Sequence, residues 1–178
     1  MKLSTGFTIL VLTLIPSAQV LAQASIPEDV RTKMMGYIGT WSYEEQVKET
    51  PMGPEKTITG TWEARWIYDW LIEWRGTSTA DGVTSSSIKY EGYDPITQGY
   101  TYWFGSGGSR GIAYDGEWNG NTIQLEFVAF SPDGRRSRGR CIWPYSADFT
   151  ALPSYRCEKL TNGQWWVFRT GTATKTGS

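Results

Sequence analysis

Three arginines alternate with other residues in the run GRRSRGRCI, residues 134–142. On a β-strand, Arg136, Arg138 and Arg140 would share one face, because successive side chains of a strand point to opposite sides. If that face points inward, the guanidinium groups can hold a ligand carboxylate or phosphate in bidentate fashion. If it points to solvent, the charges instead keep an edge strand from aggregating. The residues alone leave both interpretations open.

Histidine is absent from the 178 residues of the chain. Its absence excludes Ser-His and Cys-His dyads and removes the commonest ligand of zinc and haem iron. Catalysis would then depend on carboxylates, tyrosines or arginines, and the sequence places no carboxylate pair at a defined separation. An enzyme is therefore a secondary hypothesis, and we predict no catalytic residue, no metal site and no other cofactor.

Acidic and basic residues are nearly balanced, with 18 Asp and Glu against 17 Lys and Arg. Such a balance gives no general attraction to nucleic acid or to an anionic membrane surface. The glycine-rich run at residues 105–108 (GSGG) lies between predicted strands and not before a helix, so it lacks the helix N-terminus of phosphate-binding loops. We expect no nucleic-acid partner, and nothing in the sequence indicates an oligomeric state.

Aromatic residues make up 15% of the chain, including ten Trp and ten Tyr. In the wall of a cavity, their flat faces would suit a small, largely apolar, ring-containing molecule, and their polar tips would orient it. Alternatively, the rings fill the interior completely, or exposed Trp rings bind carbohydrate or another envelope protein. For the first hypothesis, the ligand-binding candidates in the predicted strands are Trp62, Tyr90, Tyr102, Tyr114 and Phe127.

Residues 1–24 have the pattern of a secretory signal peptide: a basic residue (Lys2), an apolar core at 7–15 (FTILVLTLI), and the small-x-small run Ala22-Gln23-Ala24. Cleavage after Ala24 is the first choice and cleavage after Ala22 the second. The apolar core is much shorter than the ~20 residues that span a bilayer. We therefore predict an exported protein of the periplasm or the medium, with no membrane span.

The chain has two cysteines, Cys141 and Cys157. In an exported protein, two cysteines most simply form one disulfide, which adds roughly 3 kcal/mol of stability in the chain-entropy model. The alternative is a metal pair, for which two further soft ligands are missing. We predict the disulfide.

Residues 25–38 carry the only helix signals and are predicted to form one short helix. Ser25 and Glu28 can form a capping box, Pro27 suits the first turn, and Gly36 suits the end of the helix. Apolar residues recur at every fourth position, at Ile26, Val30 and Met34. A helix this short must pack on another element to be stable.

From residue 39 to residue 178 the chain is typical of a single β domain. Even positions between residues 58 and 74 are mainly apolar and odd positions mainly polar, as in an antiparallel sheet with one buried face. Nine turn signals separate ten strands, and Asn119-Gly120 and Asn162-Gly163 are among the strongest. Closure removes the two exposed edges that a long meander would leave. We predict an all-β, closed antiparallel up-and-down barrel, because a Greek-key sandwich needs longer connections.

The run Gly39-Thr40-Trp41 on the first predicted strand resembles the Gly-x-Trp signature of lipocalins. The wider layout, with Tyr93-Asp94-Pro95, the hairpin at 116–120 (GEWNG) and Arg140 after Gly134, resembles an uncharacterised bacterial lipocalin-like family called domain of unknown function 1579. This resemblance extends from about Met35 to Lys175.

The resemblance implies a barrel-closing contact between Trp41 and an arginine of the last strand, for which Arg169 is the candidate. It also implies that the N-terminal helix plugs that end of the barrel. Because Arg140 matches a position of the family, we predict it as the arginine that holds an anionic ligand. Haem binding is not implied, because the haem-binding relatives of this barrel type use a histidine ligand. The predicted function is binding of a small, largely apolar molecule, which can be anionic, in an aromatic-lined interior.

Overall fold

The computed structural model describes residues 25–49, 54–106 and 109–178, so that the predicted signal peptide at 1–24 lies outside the described residues. One helix, α1 (Glu28–Tyr37), precedes the strands. The ten strands are β1 (Gly39–Val47), β2 (Lys56–Tyr68), β3 (Leu71–Ala80), β4 (Val83–Asp94), β5 (Gly99–Ser106), β6 (Ser109–Asn119), β7 (Thr122–Phe130), β8 (Arg136–Pro144), β9 (Ala151–Thr161) and β10 (Gln164–Gly177).

Each strand pairs antiparallel with its neighbours in sequence, and β1 also pairs with β10, which closes the sheet into a barrel. The connections between strands fall at the predicted turns. At one of these turns, Asn162 and Gly163 both have positive φ, at 51° and 78°, as a tight hairpin requires. The predicted all-β, ten-stranded, up-and-down barrel with one short helix is confirmed. Within the described ranges, no helix has the length and apolar character needed to cross a bilayer.

The helix α1 begins differently from the prediction. Pro27 occupies the N-cap position and no side chain caps the helix, so the predicted capping box of Ser25 and Glu28 is wrong. The acidic residues of the first turn instead interact favourably with the positive end of the helix dipole. Gly36 does not end the helix, which continues to Tyr37; its missing side chain makes room for the Phe149 ring.

Aromatic packing holds α1 against one end of the barrel, here called the closed end. The Tyr37 ring lies 5.8 Å from the Trp74 ring, 6.1 Å from Trp118 and 5.1 Å from Tyr145, measured between centroids. Aromatic pairs at such distances contribute about 0.5–1.5 kcal/mol beyond the area that they bury. The helix is therefore a plug, and the side chains that it buries are Val30, Met34 and Tyr37.

The predicted apolar alternation between residues 58 and 74 is interrupted at the β2–β3 turn. Tyr68 and Trp70 share parity with the buried positions, but they are 63% and 43% exposed and their rings stack at 6.1 Å. The chain reverses at Asp69 and Trp70, so these residues leave the sheet face and the inward pattern resumes at Ile72.

The predicted contact between Trp41 and Arg169 is wrong. Trp41 lies opposite Lys175 on β10, with the Lys175 ammonium 5.8 Å from the Trp41 ring centroid. Arg169 lies opposite Val47, six residues further along β1, or roughly 20 Å of strand. Trp41 does pack at the closed end, where its indole N–H donates a hydrogen bond of 2.9 Å to the Tyr37 carbonyl. The contacting cation is thus a lysine, and Arg169 belongs to the opposite half of the barrel.

The predicted disulfide between Cys141 and Cys157 is confirmed, with sulfurs 2.00 Å apart. It joins β8 and β9, which pair at four positions only, from Gly139 to Ile142 on β8. Every other ladder of the described barrel has at least seven paired positions. The covalent bond therefore reinforces the shortest seam of the sheet.

Candidate functional site

Cross-strand register defines which side chains point into the barrel, because directly opposed residues share one face of the sheet. Trp41 is buried in the interior and lies opposite Trp62. The buried Trp74 lies opposite Lys89, and Lys89 in turn lies opposite Phe104. By the same rule, Glu91 faces inward opposite Tyr102, and Glu45 faces inward opposite Ile58. The lumen therefore combines an aromatic wall with several charged side chains.

Five inward-facing rings lie over a glycine of the neighbouring strand. A Cβ atom on Gly139, for example, would overlap the Phe127 ring, so a larger residue there would push that ring away from the wall. The glycines thus allow the rings to pack flat against the strands of the wall, so that the rings do not extend across the barrel axis. The five pairs are Tyr43 over Gly60, Trp62 over Gly76, Phe104 over Gly111, Phe127 over Gly139, and Tyr155 over Gly171.

The half of the lumen away from α1 is open to solvent. Trp62, Phe104 and Lys89 point inward and yet are only half-buried. The next inward positions on β4 beyond Lys89 carry the small residues Ser87 and Ser85, which do not fill the space. This end of the barrel is therefore a mouth.

A small cavity lies in the lumen between the mouth and the plug. It has about 20 Å³ of space for the centre of a water-sized sphere, which is room for about one water molecule. It is lined by Trp41, Trp62, Trp74, Lys89, Glu91, Trp143, Tyr145, Leu152 and Tyr155. The closed half of the barrel is thus packed, as one alternative from the sequence expected, whereas the mouth half is not.

Lys89 is the central cation of the lumen. Its ammonium lies 3.8 Å from the Trp62 ring centroid, 4.6 Å from Trp74 and 5.8 Å from Trp143. Within the described chain, no carboxylate lies within ion-pair distance of this ammonium. Burial among the rings lowers the pKa of Lys89 to about 8, against the opposing attraction of Glu91. Cation–π contact compensates part of the lost hydration of the ammonium.

Glu91 lies two residues further along β4, on the same inward face as Lys89, and only 1% of it is exposed. Burial raises its pKa to about 7, although the positive charge of Lys89 acts in the opposite direction. The Tyr37 hydroxyl and the Trp74 indole N–H lie near this carboxyl and lower its pKa, but neither reaches hydrogen-bond geometry with Oε1. The carboxyl therefore has a free oxygen at the cavity.

A second polar group lies closer to the mouth. The Tyr155 hydroxyl donates a hydrogen bond of 2.7 Å to Oε1 of Glu45, and Nη1 of Arg169 lies 3.4 Å from Oε2 of the same carboxylate. Lys159 lies with its ammonium 4.9 Å from the Phe168 ring, and burial together with repulsion from Arg169 lowers its pKa. Between the plug and the mouth, the described lumen thus holds three basic side chains, Lys89, Lys159 and Arg169, against two carboxyl groups.

Three of the predicted ligand-binding residues, Trp62, Tyr102 and Phe127, point into the lumen. Tyr114, on β6, lies opposite Thr101 of β5, and the side chain of Tyr114 is outside the described part of the structure.

Tyr90 and Arg140 lie on the outer face of the barrel, contrary to the prediction. The Tyr90 hydroxyl donates a hydrogen bond of 3.2 Å to Glu73. Glu73 lies directly opposite Tyr90 on β3, so both side chains are on the outer face. Arg140 pairs with Glu158 and stacks on Trp165 with its Cζ 4.3 Å from the ring centroid. Both side chains bind carboxylates that they help to bury on the outer face, Glu73 and Glu158. Arg140 thus points outward, as one interpretation of the arginines expected, but β8 is paired on both sides and is not an edge strand.

Sequence reasoning missed the polar residues of the lumen, Lys89, Glu91 and Glu45. In the run Ile88-Lys89-Tyr90-Glu91, apolar and charged residues alternate, and the apolar parity is the usual inward choice. The structure reverses this parity. The pairing of Lys89 with the inward Trp74 decides the parity, and no local sequence signal reveals that pairing.

These features define the class of protein: a closed, ten-stranded antiparallel barrel, plugged at one end by a helix, with an aromatic and partly charged lumen that opens at the other end. The family described as "Protein of unknown function (DUF1579)" matches residues 27–174, and the chain belongs to this family. The resemblance of the sequence to domain of unknown function 1579 is thereby confirmed. No curated protein matches the chain.

Solved structures are similar to the chain at low sequence identity. The crystal structure of Rv2717c from M. tuberculosis has a TM-score of 0.61 and 14% identity, covering 85% of this chain and 99% of that chain. A de novo designed fluorescence-activating β-barrel has a TM-score of 0.42 and 15% identity, covering 80% and 96%. EF1p2_mFAP2b bound to DFHBI has a TM-score of 0.43 and 12% identity, covering 82% and 98%. The first of these likenesses shows the barrel fold.

Proposed function

We propose that the protein is an exported carrier that binds a small, largely apolar, ring-containing molecule in the mouth half of its lumen. The observation that supports this most is the placement of the aromatic rings. Trp62 and Phe104 point inward, lie over glycines and are only half-buried, so part of each ring is exposed at the mouth, although Tyr43 stacks on Trp62 at 4.0 Å. Such walls bury the flat surface of a ligand, while a few polar groups orient it.

The charges of the lumen favour a ligand with an anionic group. Glu45 is already bound by Tyr155 and Arg169, and the raised pKa of Glu91 leaves this carboxyl partly neutral near pH 7. Lys89 and Lys159 are then the basic groups without a carboxylate partner in the described lumen. A carboxylate or sulfonate on the ligand would supply the missing counter-charge.

Export is supported by the disulfide between Cys141 and Cys157, because such bonds persist in oxidising compartments. The predicted signal peptide at residues 1–24 is the route that we propose, with the periplasm or the medium as the destination.

A titration with two matched fluorescent probes tests the carrier function. Anilinonaphthalene sulfonate carries an anionic group, and phenylnaphthylamine has the same rings without the sulfonate. We expect both to bind with enhanced fluorescence, and the sulfonate to bind more tightly. If neither probe binds to the folded protein, the carrier function is refuted.

Two neighbouring serines provide a matched pair of variants that locates the probe. Ser87 points into the mouth opposite Gly76, whereas Ser86 is exposed on the outside opposite Thr77. Ser87→Phe fills the space above Lys89 and should weaken probe binding at least tenfold, whereas Ser86→Phe should leave it unchanged. Equal effects of the two variants would place the probe outside the lumen.

A recognition surface for carbohydrate or an envelope protein is the second candidate, and the stacked pair of Tyr68 and Trp70 favours it. Both rings are exposed at the closed end, where a sugar face could stack on them. Of the ten Trp residues, however, two are exposed, Trp70 and Trp166. We therefore expect iodide to quench a minority of the Trp fluorescence; efficient quenching of most rings would favour the recognition surface.

A further inference from the structure

We propose that Lys89 binds aldehyde ligands covalently, by forming a reversible imine with a carbonyl group that enters the lumen from the mouth. This inference rests on the proposed carrier function and names a chemical class of ligand for it. It depends on three observations: the position of the amine, the neighbouring carboxyl group, and the aromatic rings that surround the amine.

The amine is placed as a nucleophile in an apolar chamber. Its Nζ atom has Trp62, Trp74 and Trp143 around it and no carboxylate within ion-pair distance in the described residues. An ammonium held in this way loses its proton more easily than one in water, and the neutral amine is the form that attacks a carbonyl carbon. The lowered pKa of Lys89 increases the fraction of the neutral amine at pH 7.

Glu91 supplies the acid–base partner. Its free Oε1 oxygen and the Lys89 side chain line the same small cavity, which has room for one water molecule to carry a proton between them. With a pKa of about 7, this carboxyl group can both accept and donate a proton at neutral pH.

The reaction balances without an oxidant or reductant. The Lys89 ammonium gives a proton to Glu91, and the neutral amine forms a C–N bond with the aldehyde carbon. A proton then moves from this nitrogen to the former carbonyl oxygen, which becomes a hydroxyl. Glu91 then protonates this hydroxyl, the C–O bond breaks and one water leaves, which yields the protonated imine.

The charged groups that face Lys89 come from three strands: Glu91 on β4, Glu45 on β1 and Arg169 on β10. Arg169 repels the ammonium, and the two carboxyl groups stabilise it. Lys159 is the other lumen amine with a lowered pKa, and it lies beside Arg169 toward the mouth. It is therefore the natural competitor for the aldehyde, and the test must distinguish the two positions.

Reductive trapping tests the proposal on the purified protein. Naphthaldehyde is added with cyanoborohydride, which reduces an imine to a stable amine, and the intact mass is measured. We expect one rapid addition equal to the mass of the aldehyde less one oxygen atom, located by peptide mapping at Lys89 among the seven lysines of the sequence. Labelling of Lys89 no faster than of the exposed Lys48, or rapid labelling at Lys159 instead, would overturn the proposal.

Variants separate the chemistry from the fold. Lys89→Met and Lys89→Arg should both abolish the rapid addition. The arginine variant retains the positive charge and therefore serves as the test if the methionine variant folds poorly. Lys33→Met is the matched control, because Lys33 also lies over a Trp ring, 5.2 Å from the Trp118 centroid, but belongs to α1. This control should label like the wild type. Glu91→Gln should slow the addition at least tenfold and remove the dependence of its rate on pH near 7.

The corresponding alcohol, naphthylmethanol, separates this proposal from the carrier function, because it cannot form an imine. If the alcohol quenches Trp fluorescence on binding but the aldehyde is not trapped at Lys89, the imine is refuted and the carrier stands. If neither compound binds, both proposals fail.

Discussion

Replacing the buried carboxyl group of Glu91 by an amide should remove a pH dependence from the stability of the barrel. In the folded protein, burial raises the pKa of Glu91 from 4.5 to about 7. The folded state therefore holds a proton on Glu91 between these two pH values, whereas the unfolded chain has lost it. Because the folded state binds more protons, the free energy of unfolding falls as the pH rises through this range.

The size of the effect follows from the two pKa values. One proton corresponds to about 1.4 kcal/mol per pH unit, so between pH 4.5 and pH 7 the wild type should lose about 3 kcal/mol. Lys89 acts in the opposite sense at higher pH: its pKa is lowered to about 8, so stability recovers as the pH rises from about 8 toward 10.5. The wild type should thus be least stable between pH 7 and pH 8.

The assay is urea unfolding followed by Trp fluorescence at pH 5, 6 and 7. In Glu91→Gln the free energy of unfolding should stay nearly constant over this range, while the wild type declines. Glu126→Gln is the matched control, because Glu126 lies on the outer face of β7 and pairs with Arg138 at the surface. Parallel pH curves for the wild type and Glu91→Gln would refute the assignment of a protonated carboxyl group to the lumen.

Three further expectations concern the wall, the seam and the outer arginine. Gly139→Val should cost about 1–3 kcal/mol, because the new side chain overlaps the Phe127 ring, and it should also weaken probe binding in the titration by pushing that ring toward the axis. Replacing both Cys141 and Cys157 by serine should lower the free energy of unfolding by roughly 3 kcal/mol, and an unchanged urea midpoint would show that the β8–β9 ladder needs no covalent bond. Arg140→Ala should leave the affinity for anilinonaphthalene sulfonate unchanged, because this side chain lies outside the barrel; a loss of affinity would contradict the register.

The candidate site is only partly predictable from the sequence. Trp62, Tyr102 and Phe127 are identifiable as inward residues because period-two alternation of large apolar side chains is a strong local signal. The same rule fails for Tyr90, and the family position on which the prediction of Arg140 rested does not lie in the lumen. On β4 the apolar residues Ile88 and Tyr90 take the outer face, because the register with β3 turns Lys89 toward Trp74.

The closing contact at Trp41 shows a similar limit. Motif resemblance indicates a basic partner on the last strand, and such a partner exists, but the position along the strand depends on the pairing of β1 with β10. Local sequence carries no information on that pairing, which joins the first strand of the barrel to the last. Lys175 is therefore the contact, and Arg169 contributes its charge to the mouth half of the lumen.

The amino-acid sequence by itself determined the class of fold, the number of strands, the helix and the pairing of the two cysteines, because turn residues, alternation and composition act over a few positions. Only the tertiary structure decided that a lysine and a glutamate lie among the tryptophans of the lumen. A one-residue change of register exchanges the two faces of a strand, and no local property of Lys89 or Glu91 reveals which face is enclosed. Closure of the sheet sets that register for all ten strands at once, and with it the chemistry of the interior.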